Sequence, residues 1–160
     1  MSATHHRPRG LRLAALAVAL AGGVSSPLPG SAAPAADPIV GTWQQVDEDG
    51  DVGALVTITM ERGLVSGHIV RLVQGLGEPE NPTCDACRGA LHGRPLVGLP
   101  IIRGLKPEGR HYSAGHILDP ESGEDYDLQA DLAPDGQTLA IRAYRGVALL
   151  GRSQTWRRAP

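Results

Sequence analysis

The chain has 160 residues, with 15 basic and 17 acidic side chains, six histidines, two cysteines and no phenylalanine. That length fits one domain of ordinary size and excludes a second. A formal net charge of −2 carries no basic excess and argues against nucleic acid or anionic lipid as a partner.

Arg7, Arg9 and Arg12 precede an apolar run from Leu13 to Val24, and small residues follow, with no acidic residue before Asp37. This is the order of a secretory signal peptide. The run spans about 12 residues where a bilayer crossing takes roughly 20, so it predicts a cleaved leader and not a permanent anchor. Ala33-Pro34-Ala35 fits the small-x-small rule, which places cleavage after Ala35 or Ala36. No cysteine lies near that point to take a lipid, and the arginines are not adjacent as twin-arginine export requires. The expectation is a leader over 1–35 and a periplasmic or secreted domain with no membrane span. Without the leader, 12 basic side chains face 17 acidic ones, a net of −5.

The mature chain alternates β-favouring runs with turn signals and never sustains a helical apolar period. Gly41 to Val46 opens the series, and Asp47-Glu48-Asp49-Gly50 turns it. Ala54 to Met60 sets Val56, Ile58 and Met60 on one face, and Arg62-Gly63 turns it into Leu64 to Val73, the clearest hairpin. Gln74 to Arg94 is polar and broken by Pro79, Pro82, Gly89 and Gly93, which predicts a surface excursion. Leu96 to Arg103 resumes an apolar strand, with Gly98 and Pro100 marking a bulge or an edge. Tyr112 to Leu118, Tyr126 to Leu132, Thr138 to Tyr144 and Leu149 to Trp156 follow, separated by Asp-Pro and Pro-Asp-Gly turns. The class is all-β. Eight strands with mostly short connections predict an antiparallel up-and-down barrel, and a two-sheet sandwich is the competing architecture.

Two tryptophans mark the ends of this series. Gly41-Thr42-Trp43 lies on the first strand and Trp156 near the last, and closure makes these strands neighbours. An arginine from the end, Arg152 or Arg157, is then expected over the Trp43 ring in a cation–π contact. Lipocalins carry this pattern, a G-x-W on the first strand with an arginine on the last.

A longer series of motifs resembles the bacterial exported family called domain of unknown function 2147. It comprises Gly41-Thr42-Trp43, Gly67-His68-Ile69-Val70, Asn81-Pro82, Gly98-Leu99, Asp119-Pro120 with Gly123 and Tyr126, and Leu150 through Trp156. The likeness runs over about 38–158. It implies a lipocalin-like β-barrel in the cell envelope and brings no activity and no catalytic residues.

Cys84 and Cys87 sit in the polar excursion. In an oxidising compartment a disulfide is the expected state, pinning a local turn. Zinc held by Cys84, Cys87 and His92, with His111 or His116 as a remote ligand, is the competing account. A thioredoxin-like role lacks its βαβ setting, and Arg88 stands where a haem-attachment site needs histidine. The acidic run from Asp47 lacks the glycine and the final carboxylate of a calcium loop, and Glu124-Asp125 falls in a turn. No nucleophile, base and orienting group can be named together, so the expectation is a non-enzyme without cofactor.

The functional expectation is a small, partly apolar ligand in the barrel or at its mouth. Alternation selects Val56, Ile58, Ile69, Leu128 and Ile141 as inward, with Arg71 and Tyr126 as polar groups near a rim. The alternative is a filled barrel that binds a partner through the 74–94 loop.

Overall fold

Turn clusters cut the chain into runs rich in Val, Ile, Leu and Thr, too short for stable helices and well suited to pairing. The computed structural model describes residues 36–46, 49–73 and 79–160. Residues 1–35, where a leader is expected, Asp47, Glu48 and residues 74–78 lie outside the described residues. The strands are β1 (Gly41–Val46), β2 (Val52–Glu61), β3 (Leu64–Leu72), β4 (Pro100–Glu108), β5 (His111–Asp119), β6 (Glu124–Leu132), β7 (Thr138–Tyr144) and β8 (Arg152–Arg158). Each runs antiparallel to the next, and β1 pairs with β8 to close an eight-stranded barrel. Closure satisfies both edges, which removes the exposed ladders a sandwich would leave.

The β2–β3 turn places Arg62 at φ 52° and Gly63 at φ 78°. Two successive positive angles give the turn twist that matches antiparallel strands.

Three expectations shift. The fourth strand begins at Pro100, not Leu96, and runs to Glu108, because a proline at a strand's first residue forfeits no ladder bond. Leu96–Leu99 belongs to the preceding connection. The eighth begins at Arg152, since Ala148–Leu150 forms a 3₁₀ turn that leaves Leu149 86% and Leu150 82% exposed. In β3 the register skips Val70, pairing Ile69 with Val56 and Arg71 with Leu55. This bulge moves Arg71 out of the parity of buried Ile69, and Arg71 is exposed.

One end of the barrel is its base. Here the chain enters through Asp37–Val40, and Ile39 is fully buried. The Ile39 amide donates to Asp37 Oδ1 at 3.0 Å, and the same oxygen accepts the Tyr112 hydroxyl at 2.6 Å. Trp43 Nε1 donates to the Ile39 carbonyl at 2.9 Å. The Arg158 guanidinium lies 4.3 Å over the Trp43 ring and donates to the carbonyls of Pro38, Val40 and Gly136 at 2.6, 3.1 and 2.7 Å. Gly41 leaves room for it, because a Cβ there would stand 2.5 Å from Arg158 Nη1.

The arginine over Trp43 is therefore Arg158, and not Arg152 or Arg157. Strand parity explains it: with Trp156 inward, Arg157 turns outward. Arg152 shares the parity of Trp156 but pairs with Ala143 at the opposite end.

Burial first, and the Asp37 carboxylate second, push the Tyr112 phenol well above its ordinary value of 10.0. Above that value the unfolded chain releases this proton while the barrel keeps it. The unfolded state then binds fewer protons, so stability is full below pH 10 and falls as pH rises, by up to about 1.4 kcal/mol per pH unit. Urea melts of wild type and Tyr112→Phe at rising alkaline pH test this: the variant should show the shallower decline, and equal slopes would refute the assignment.

Candidate functional site

The other end, the mouth, carries the β1–β2, β3–β4, β5–β6 and β7–β8 connections. The long β3–β4 connection folds back on itself: Thr83 bridges Pro95, the Cys84 amide donates to the Arg94 carbonyl at 2.8 Å, and Gly89–Leu91 forms a 3₁₀ turn. Cys84 and Cys87 are joined in a disulfide.

Those sulfurs do more than pin a local turn. Cys84 is 1% and Cys87 3% exposed, and both belong to the continuous apolar core. Cys84 Sγ lies 3.3 Å from the Pro120 carbonyl oxygen in the β5–β6 turn. Gly123, at φ 70°, lets that turn meet the loop, since a Cβ there would collide with the Ala86 carbonyl. The loop is thus seated on the barrel rim through backbone contact.

Seating brings together groups distant in sequence. Glu124 receives Arg88 on Oε1 at 3.2 Å and Arg145 on Oε2. Arg145 also lies over the Tyr126 ring, 4.7 Å from its centroid. Arg103 holds Asp125 at 2.6 Å. Arg88, Leu91, Leu118, Gly123, Glu124, Asp125 and Arg145 enclose a cleft of about 290 Å³. A second, of about 340 Å³, lies beside it between Thr83, Asp85, Ala86, Leu96, Pro120 and Glu121.

The residues selected by alternation are elsewhere. Val56, Ile58 and Leu128 are fully buried, with Ile69 at 3% and Ile141 at 2% exposed. They pack with Trp43, Tyr112 and Trp156 in one core and line neither cleft. Tyr126 is half-buried at the mouth, where it supports Arg145. Alternation identified what faces inward, but it carries no measure of whether the interior is full.

The three histidines of the zinc account each face a separate partner. His92 Nδ1 lies 3.2 Å from the Cys87 carbonyl, His111 Nδ1 lies 2.7 Å from Asp131, and His116 Nδ1 lies 3.6 Å from Asp127. Among the described residues no three potential metal ligands gather. Sequence reasoning missed Arg88, Arg145 and Glu124 as one group. The available signal was the register: Tyr144 lies opposite Asp127, which sets Arg145 beside Tyr126 once both strands are drawn.

This closed barrel, with a cation-capped tryptophan at its base and a disulfide loop at its mouth, is of the lipocalin class in fold. The protein HP1028 from the human pathogen Helicobacter pylori, described as belonging to the lipocalin family, is similar in structure with a TM-score of 0.68. The similarity covers 79% of this chain and 85% of that one at 18% identity, and it speaks to fold alone. No curated protein sequence matches the chain. The chain belongs to the family described as an uncharacterized protein conserved in bacteria (DUF2147), whose model matches residues 41–158. Among the described residues no helix is long and apolar enough to cross a membrane.

Proposed function

We propose that this is an exported, non-catalytic protein that binds a small, partly apolar ligand at the mouth of its barrel, in the cleft shared by the disulfide loop and the β5–β6 turn. The observation that carries the reading is one carboxylate, Glu124, shared by two guanidiniums beside Leu91 and Leu118. A ligand with an acidic or carbonyl group takes over part of that hydrogen bonding at Arg88 and Arg145, while its apolar body covers the leucines. The cleft volume sits at the lower end of small-molecule sites. The signal-like leader supports a periplasmic or secreted setting, where the disulfide persists.

Native mass spectrometry of protein purified from its own envelope tests this. A small-molecule adduct is expected on the wild type and should be lost from Arg88→Ala/Arg145→Ala. An adduct indifferent to both arginines would move the site elsewhere, and a bare wild-type mass would sink the reading. The packed interior favours one alternative, a filled barrel that captures a protein partner through its 74–94 loop. In that case replacing the loop abolishes capture in an envelope pull-down while the adduct spectrum stays empty.

A further inference from the structure

The cleft between the disulfide loop and the β5–β6 turn already holds a carboxylate, and that carboxylate belongs to the protein. Arg88 Nη2 donates to Glu124 Oε1 at 3.2 Å, and Arg145 Nη2 donates to Oε2. Each oxygen faces one guanidinium, and each guanidinium gives Glu124 a single nitrogen. Among the described residues, Nη1 and Nε of both arginines have no hydrogen-bond partner. Two forks placed this way suit a planar group that offers an oxygen to each, which is the geometry of arginine–carboxylate pairing. The rest of the lining is apolar or already paired: Leu91 and Leu118 stand beside Glu124, and Asp125 is held by Arg103 at 2.6 Å.

The cleft does not need Glu124 for its shape. The loop that carries Arg88 is seated by Cys84 against the Pro120 carbonyl and by the close approach of Gly123 to Ala86. Arg145 rests over the Tyr126 ring, 4.7 Å from its centroid. Both guanidiniums are therefore placed by other contacts, and Glu124 occupies the gap between them. The two ion pairs are open to water, with side-chain exposures of 85% for Arg88, 58% for Arg145 and 36% for Glu124. Exposed pairs of this kind are weak, so an incoming group can replace them.

We infer that Glu124 is a built-in competitor, holding the place that a ligand's carboxylate takes, so that binding displaces it. This rests on the reading of the cleft proposed above and narrows the ligand to a monocarboxylate with a short apolar body. The carboxylate engages Arg88 and Arg145, the body covers Leu91 and Leu118, and the Glu124 side chain gives way. The surrounding charges set the valence. Asp119, Glu124 and Asp125 share this end of the barrel with Arg88, Arg103 and Arg145, and Asp119 gives its oxygens to the Glu121 amide and the Ser122 hydroxyl at 3.0 and 2.7 Å. With acids and bases evenly matched, a doubly charged phosphate head meets more repulsion than a carboxylate does. An ammonium group finds both lining acids, Glu124 and Asp125, already facing arginine.

The test is titration of the isotope-labelled processed protein with hexanoate, hexyl phosphate and hexylamine, followed through the NMR shifts of the loop and turn amides. Hexanoate is expected to bind the wild type, hexyl phosphate less tightly and hexylamine least. Glu124→Gln keeps the side chain's shape and removes the competing charge, so it should tighten hexanoate binding by about tenfold, as two exposed ion pairs no longer oppose it. A residue that merely supported the site would shift affinity the other way. Arg88→Ala/Arg145→Ala should abolish binding. The glutamine variant should keep the wild-type melting curve and the loop's resistance to trypsin, which assigns the gain to lost competition and not to an opened loop. Unchanged or weaker hexanoate binding by Glu124→Gln overturns the inference. So does a wild type that takes hexyl phosphate as tightly as hexanoate, or that binds none of the three probes. The cleft itself is judged separately, by the envelope adduct and its dependence on the two arginines.

Discussion

Arg158→Ala should lower the unfolding free energy by about 3 kcal/mol and the melting midpoint by on the order of 10 °C. One guanidinium covers Trp43, ties Pro38 and Val40 of the entering chain to β8, and reaches Gly136 in the β6–β7 turn. Its loss opens three carbonyls and the face of a buried tryptophan at once. Arg158→Lys keeps a charge without the planar fork, so it should recover a minority of the loss. Arg157→Ala, one residue away on the outer face, should change the midpoint little. A midpoint within about 2 °C of wild type for Arg158→Ala would refute the assignment of the base to this residue. Gly41→Ala should mimic part of the effect from the other side, since its new Cβ occupies the space of Arg158 Nη1.

The sequence made the barrel legible because its information is local. Alternation in Tyr126 to Leu132 and the turn at Arg62-Gly63 each depend on a few neighbouring residues, and eight strands follow from adding them. Closure was legible from the tryptophans, but the choice among Arg152, Arg157 and Arg158 depends on exact parity and on which end of the strand meets the base. A one-residue error in register reverses every face. The Asp37–Tyr112 bond joins groups 75 residues apart, and nothing near Asp37 announces it. The candidate site was the least legible part. It is made by a loop seated on a turn, so Arg88, Glu124 and Arg145 converge through contacts of Ala86 and Pro120 backbone that no periodicity encodes.

Gly123→Ala should unseat the disulfide loop and, with it, the cleft. The substitution asks a residue with a Cβ to adopt φ 70°, which costs about 1 kcal/mol before any contact is counted. The added carbon then meets the Ala86 carbonyl, which is backbone and has no rotamer to retreat into. The loop must lift, taking Arg88 from Glu124 and uncovering the two buried sulfurs. A total loss of about 2–4 kcal/mol follows from adding lost burial to the strained angle. The sharper readout is local: trypsin should cleave after Arg88 far faster than in wild type, because opening this loop no longer costs its seat. Reducing the disulfide in wild type offers the contrast. A bridge between residues three apart constrains the unfolded chain by only about 2 kcal/mol. Because Gly123 keeps its fit with Ala86, the reduced protein should resist trypsin better than the Gly123→Ala variant. Equal cleavage of both would show that the covalent link, and not the glycine contact, seats the loop.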